Sequence, residues 1–313
     1  MNFELYGLLY LVEGEKSLVN AHVKNFQQQI KLYVQNAIGL SASLRQRGIK
    51  FTLLTNRLDF IFDALIGIGR KDALHIEKIS FPTKVPSGIR FYSAHFVFDV
   101  FRYFSSLSID RSPYIGFCDL DVRAINEIPE CLINIIRDKI PMCYDITDQV
   151  IPAYGHDIII RDMESISCVN SEGRWFGGEF ITGSPAFFLS LISEIDNFFE
   201  KYISKIDVLC HVGSEVLISV ALEQIRRKGT YVADAGTLGI VGRYWSGKTL
   251  HHQKPFDYYK NCFLLHLPGD KKFLASMANI ETLEDSQFIK KLLINKNSVY
   301  TSGRKILSRL LRK

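Results

Sequence analysis

The chain has 313 residues, 47% of them apolar and 23% charged, enough for one large α/β domain or two small ones and too apolar for global disorder. The formal charge of +5 invites a nucleic-acid reading, but Arg304, Lys305, Arg309, Arg312 and Lys313 alone supply five positive charges at the C-terminus. The body is therefore close to neutral, and it lacks the basic face interleaved with aromatics that would indicate a nucleic-acid partner.

Leu5 to Val12 is a short apolar run closed by Glu13-Gly14-Glu15, and it predicts a first buried strand. Met1-Asn2-Phe3-Glu4 has no basic n-region, so no signal peptide is expected. The run is also too short to span a bilayer. Ser17 to Arg47 predicts a helix broken at Gly39, and Gly48 turns the chain into a second strand, Lys50 to Asn56. This strand, helix, strand order opens a doubly wound sheet. A third strand is expected from His75 to Phe81, closed by Pro82 and Pro86. Ser87 to Ser106 then predicts a helix whose Ile89, Phe96, Val97, Val100 and Tyr103 give a mostly apolar face.

Pro113 to Cys118 is an apolar run that ends abruptly in Asp119 and Asp121. Gly177 to Thr182 predicts a strand edge, and Ser184 to Lys201 and Glu215 to Lys228 predict helices. Tyr231 to Ala235 is expected as a strand, Gly236 to Pro255 as a long loop, and Phe263 to His266 as a late strand. The remainder reads as helical or loose. The six cysteines (Cys118, Cys131, Cys143, Cys168, Cys210 and Cys262) form no CxxC pair. Reduced thiols in the cytoplasm are the simplest reading, and zinc is not expected.

The carboxylate pair carries the chemistry. Ligands of open α/β sheets bind beyond the carboxyl ends of strands, where this run delivers Asp119 and Asp121. Two carboxylates one residue apart can approach one divalent ion if the backbone turns there. Oxygen ligands favour Mg²⁺ or Mn²⁺, which also bind substrate phosphates. An ordinary acidic strand end is the bland alternative.

Tyr114-Ile115-Gly116-Phe117-Cys118-Asp119-Leu120-Asp121-Val122 resembles the metal-binding strand of GT-A glycosyltransferases, particularly family 8 and related enzymes of bacterial surface-polysaccharide synthesis. Ser93-Ala94-His95-Phe96 and Asp99 to Tyr103 fall where those enzymes place a donor-contacting helix. Trp175 to Gly183 is similar to their small-residue segment beside the donor sugar. His211-Val212-Gly213-Ser214-Glu215 resembles their acidic segment, and Leu265-His266-Leu267-Pro268-Gly269-Asp270-Lys271-Lys272 their late His-x-x-Gly stretch. These matches keep the family's order over residues 1–275. The resemblance implies a GT-A type Rossmann-like mixed sheet flanked by helices, followed by a helical, basic C-terminal tail over 276–313. It implies Asp119, Asp121 and His266 as metal ligands for Mn²⁺ or Mg²⁺, and Lys271 or Lys272 on the diphosphate. Asn56, Arg57, Ser93, Asp119 and Gly178 would contact the donor, and Glu179 and Glu215 the sugar hydroxyls or the acceptor. The expected activity is transfer of a hexose from a nucleotide diphosphate sugar, UDP-linked and with retention, to a hydroxyl of a cell-surface or lipid-linked glycan. Two departures stand out: the donor helix lacks the family's arginine near Val97 and Phe98, and Gly213-Ser214-Glu215 stands where the family has an Asp-Gln-Asp-like segment, keeping only the last acid.

Gly242 to Thr249 satisfies GxxxxGK[ST] literally, which raises a P-loop nucleotide hydrolase as an alternative. A P-loop needs a helix start after it; His251-His252-Gln253-Lys254-Pro255 is a poor one. A mobile loop closing over donor or acceptor, with Trp245 as a stacking face, is the preferred reading. A non-catalytic glycan- or nucleotide-binding module is the remaining alternative. Residues 303–313 alternate Ile306, Leu307, Leu310 and Leu311 with basic residues, which predicts weak peripheral contact with the inner face of a membrane, or else a solvated terminus.

Overall fold

The computed structural model describes residues 3–13, 25–107, 113–278, 280 and 283–296. The chain opens with β1 (Phe3–Leu9), α1 (Phe26–Arg45), β2 (Lys50–Thr55), α2 (Leu58–Ile68) and β3 (His75–Lys78). A 3-10 turn (Tyr92–Phe96) leads into α3 (Val97–Ser105), and β4 (Tyr114–Cys118) and β5 (Val122–Ala124) follow. Next come α4 (Glu130–Arg137), β6 (Met142–Asp145), α5 (Thr147–Tyr154) and α6 (His156–Ser167). The chain continues through β7 (Phe176–Gly183), α7 (Pro185–Lys205), α8 (Ser214–Arg227) and β8 (Ala233–Asp234). It then forms β9 (Val241–Arg243), α9 (Phe256–Tyr259), β10 (Leu264–His266) and α10 (Lys271–Met277), with a last helix over 285–296.

Seven strands form one mixed sheet in the order β3-β2-β1-β4-β7-β6-β8. Its β3-β2-β1-β4 half is parallel, and β7 enters antiparallel to both β4 and β6. Helices cover the parallel half, which explains why β1 and β4 read as nearly unbroken apolar runs. Three short strands make a second sheet, β5-β10-β9. The chain thus leaves the large sheet at Cys118, turns through Asp119-Leu120-Asp121, and enters the small sheet at Val122.

Several expectations are corrected. α1 runs straight through Gly39, because Ile30, Val34, Ile38 and Leu44 bury one continuous face; that burial exceeds the roughly 1 kcal/mol a helical glycine costs. Asn25 caps it, its Oδ1 accepting from the Gln28 amide at 2.9 Å. The helix expected over 87–106 begins only at Tyr92, as a 3-10 turn. The loop expected over 236–255 contains β9, and residues 58–68, unassigned from sequence, form α2. The chain between Val122 and Ser167, equally unassigned, supplies two strands and three helices. α7 starts as its sequence demands: the Ser184 hydroxyl accepts from the Phe187 amide and Pro185 occupies the first turn. Residues 297–313, and with them the basic tail, lie outside the described residues. No described helix is long and apolar enough to cross a membrane.

Candidate active site

Strand register assembles the site. β10 pairs with β5 on one side, placing His266 opposite Val122, and with β9 on the other, placing it opposite Arg243. The Leu267 amide donates to the Asp121 carbonyl at 2.9 Å, which fixes the turn containing both aspartates against β10. His266 Nε2 then lies 3.3 Å from Asp121 Oδ1 and 3.7 Å from Asp119 Oδ2. One ligand atom from each of the three lies within 4.8 Å of the others. Asp121 and His266 are buried, whereas the Asp119 side chain is 44% exposed and opens the triad to solvent.

The residues fit a divalent cation. His266 Nε2 is buried, has no hydrogen-bond partner and faces two carboxylates. A buried polar atom left unmatched in this way costs about 1–3 kcal/mol. Burial opposes charge on His266, but Asp121 and Glu179 outweigh it and push the imidazole up to about 9. Partial desolvation of the half-buried Asp119 carboxyl, and then the neighbouring Asp121, push it upward. Asp121 is held well below the usual carboxylate range against burial, by Lys271 and His266. The cluster therefore demands positive charge, and an imidazole with two carboxylates is a donor set suited to Mn²⁺ and, less specifically, Mg²⁺.

Lys271, at the start of α10, directs its ammonium to Asp121 and donates to the Pro268 carbonyl at 3.0 Å. Lys272 faces solvent. Of the two lysines the sequence offers, Lys271 lines the cleft and Lys272 does not. That cleft has a volume of about 750 Å³ and is lined by Ser93, Asp119, Asp121, Gly178, Glu215, Arg243 and Lys271 among others. It is of the size that small-molecule sites occupy.

Three other residues are placed differently from expectation. Asn56 spends its amide on the Leu11 backbone, accepting from N–H and donating to C=O at 2.8 Å each; it ties the chain after β1 to the end of β2 and does not itself line the cleft. Arg57 pairs with Asp59 at 2.7 Å at the surface. Glu179 is buried behind His266, with its Oε1 at 3.3 Å from Nδ1, and does not line the cleft. Glu215 does line it. Its Oε2 accepts from Trp175 Nε1 at 2.9 Å and its Oε1 from the Gly178 amide at 3.5 Å. Burial, against the pull of Arg243, raises the Glu215 carboxyl.

Arg243 escapes a sequence reading because it stands inside the Walker-like pattern. It is 9% exposed and lies between Glu179 and Glu215, which together hold it charged despite burial. The pattern itself has no P-loop geometry: Gly242 lies within β9, and the next helix begins only at Phe256. Trp245 stacks on His251 with centroids 4.7 Å apart, so its ring is engaged within the protein and is not part of the cleft wall. Tyr154, Trp175 and His211, with ring centroids 4.5–5.6 Å apart, form the aromatic wall instead.

No protein-family model matches the sequence, and no curated protein sequence matches it either. Solved structures do match the fold. A galactosyltransferase, LgtC, in complex with donor and acceptor sugar analogs, superposes with a TM-score of 0.53 over 92% of this chain and 99% of that one, at 9% identity. An active-site mutant of LgtC gives a TM-score of 0.50 at 10% identity, covering 88% of this chain and 95% of that one. A bifunctional glycosyltransferase, WbbM, gives 0.50 at 8% identity over 95% of this chain and 51% of that one. The chain has the fold of GT-A glycosyltransferases.

Proposed function

We propose that this GT-A chain is a metal-dependent glycosyltransferase that moves a hexose from a nucleotide diphosphate sugar, UDP-linked, to a hydroxyl of a cell-surface glycan. The observation that carries this reading is the Asp119–Asp121–His266 triad at a cleft that also receives the Lys271 ammonium. Asp119, Asp121 and His266 would hold Mn²⁺ or Mg²⁺, which when bound supplies charge neutralisation at the departing diphosphate. Lys271 would give up part of its pairing with Asp121 to reach a phosphate oxygen, as a lysine point charge does in other phosphate sites. The aromatic wall of Tyr154 and Trp175 supports a pyranose face. Retention of anomeric configuration is proposed from the family 8 resemblance. The anchoring of both Glu215 oxygens supports a sugar contact for that residue over a base free to take the acceptor's proton.

A lipid-linked acceptor would place the enzyme in the cytoplasm beside the membrane. The test is consumption of UDP-hexoses, in a donor panel with Mn²⁺ and extracted glycan acceptors, with the product's anomeric configuration read by proton NMR. No consumption of any donor would favour a non-catalytic binding module.

A further inference from the structure

Glu179 is a buried carboxylate that the proposed reaction does not use. It is 2% exposed, and its Oε1 lies 3.3 Å from His266 Nδ1 and 3.6 Å from Arg243 Nε. A carboxylate set against a guanidinium serves as a hydrogen-bond acceptor, so Nδ1 is the ring nitrogen that His266 commits to Glu179. Nδ1 is thereby engaged, and Nε2, the ring nitrogen left to act as a ligand, faces Asp119 and Asp121.

A second observation shows that the fold reserves space for this carboxylate. Gly177 and Glu179 are two residues apart on β7, and the Glu179 side chain folds back over Gly177. A Cβ at Gly177 would fall 1.9 Å from Glu179 Oε2 and 2.5 Å from its Cδ. Both atoms are part of the carboxylate itself, so an alanine there forces it to move. The glycine of this segment therefore serves Glu179, which in turn serves His266.

We propose that Glu179 is a positioning residue for the metal site: it fixes His266 in the tautomer and orientation that present Nε2 to a divalent cation, with Arg243 set against the same carboxylate oxygen. Carboxylates that hold metal-binding histidines this way raise the ligand's basicity, and their loss costs roughly 10–100-fold in metal affinity. The inference rests on the metal reading above, but not on the identity of donor or acceptor.

The test is titration of the full chain with Mn²⁺ alone, followed by electron paramagnetic resonance of the free ion, for the unaltered protein, Glu179→Gln and Gly177→Ala. The isosteric Glu179→Gln keeps an acceptor but loses the charge, and should bind Mn²⁺ about 10-fold more weakly or worse. Gly177→Ala retains both charges and should weaken binding in the same direction; it carries the test if Glu179→Gln fails to fold. In both variants, raising Mn²⁺ to saturation should restore UDP binding to the unaltered level, which a general packing defect would not allow. Unchanged Mn²⁺ affinity in the folded variants would overturn this inference alone. No Mn²⁺ binding by the unaltered chain would overturn it together with the metal reading.

Discussion

Asp121 and His266 stand 3.3 Å apart because β5 and β10 are neighbours in the small sheet, not because either belongs to a local motif. The register that sets Val122 opposite His266 turns a two-residue acidic signature into a three-sided cluster that could hold a metal ion. The same turn carries Asp121 to the Lys271 ammonium at the head of α10, so the candidate cation site and the lysine at the cleft share one carboxylate.

The two adjacent lysines should separate cleanly. Lys271→Ala should weaken UDP binding in the presence of Mn²⁺ by about 2 kcal/mol, roughly 30-fold, the worth of a charge-assisted hydrogen bond. Lys272→Ala, at a solvent-facing side chain, should leave binding unchanged within error. Isothermal titration of both variants checks the pair, and equal losses would mean that the assignment between them is wrong.

A buried histidine beneath the cleft should make stability pH-dependent. His95 Nδ1–H is shared between the Phe91 and Tyr92 carbonyls at 3.0 and 3.2 Å, and Tyr202 Oη–H donates to Nε2 at 2.6 Å. Tyr202 Oη in turn accepts from the Gly213 amide at 3.0 Å. Gly213, at φ +141°, holds a conformation that suits glycine and delivers Ser214 and Glu215 to α8. Burial lowers the His95 pKa against the pull of the two carbonyls, so the fold binds its proton more weakly than the unfolded chain does. The stabilisation is complete above the unfolded value of about 6.5 and is lost as the pH falls through the lower folded value. Urea midpoints between pH 7.5 and 5 should fall less steeply for His95→Gln than for the unaltered chain. The difference can reach about 1.4 kcal/mol per pH unit.

The Walker-like segment should be inert as a nucleotide hydrolase. Lys248→Ala should leave any background ATP turnover unchanged, because Gly242 is built into a strand and no helix start meets the loop. Turnover that disappears with Lys248 would reverse that conclusion.

Legibility in the sequence follows the range of the forces involved. β4 and its terminal aspartates can be read because a strand buried on both faces is apolar without interruption and a carboxylate pair ends it sharply. α7 is visible through its Ser184 cap and Pro185. β8 and β10 fall inside the expected runs 231–235 and 263–266; by contrast, β5 and β9 are three residues long, too short for periodicity, and exist because of their partners. Arg243 is hidden for that reason: nothing local tells that β9 pairs with β10. Glu179 reads as a sugar contact because its position beside a glycine pair suggests the cleft, whereas the alternation of β7 turns it inward toward His266. Asn56 misleads for a simpler cause: an amide at a strand end can tie two backbones together as readily as it can bind a ligand.

The central claim is that Asp119, Asp121 and His266 form the cation site through which a nucleoside diphosphate is held. The most direct measurement is the thermal shift produced by UDP with and without Mn²⁺, in the unaltered chain and in Asp121→Asn. Stabilisation by UDP should require Mn²⁺ and vanish in Asp121→Asn, while the variant keeps its fold by circular dichroism. UDP stabilisation of equal size without Mn²⁺, or undiminished in Asp121→Asn, would contradict the claim.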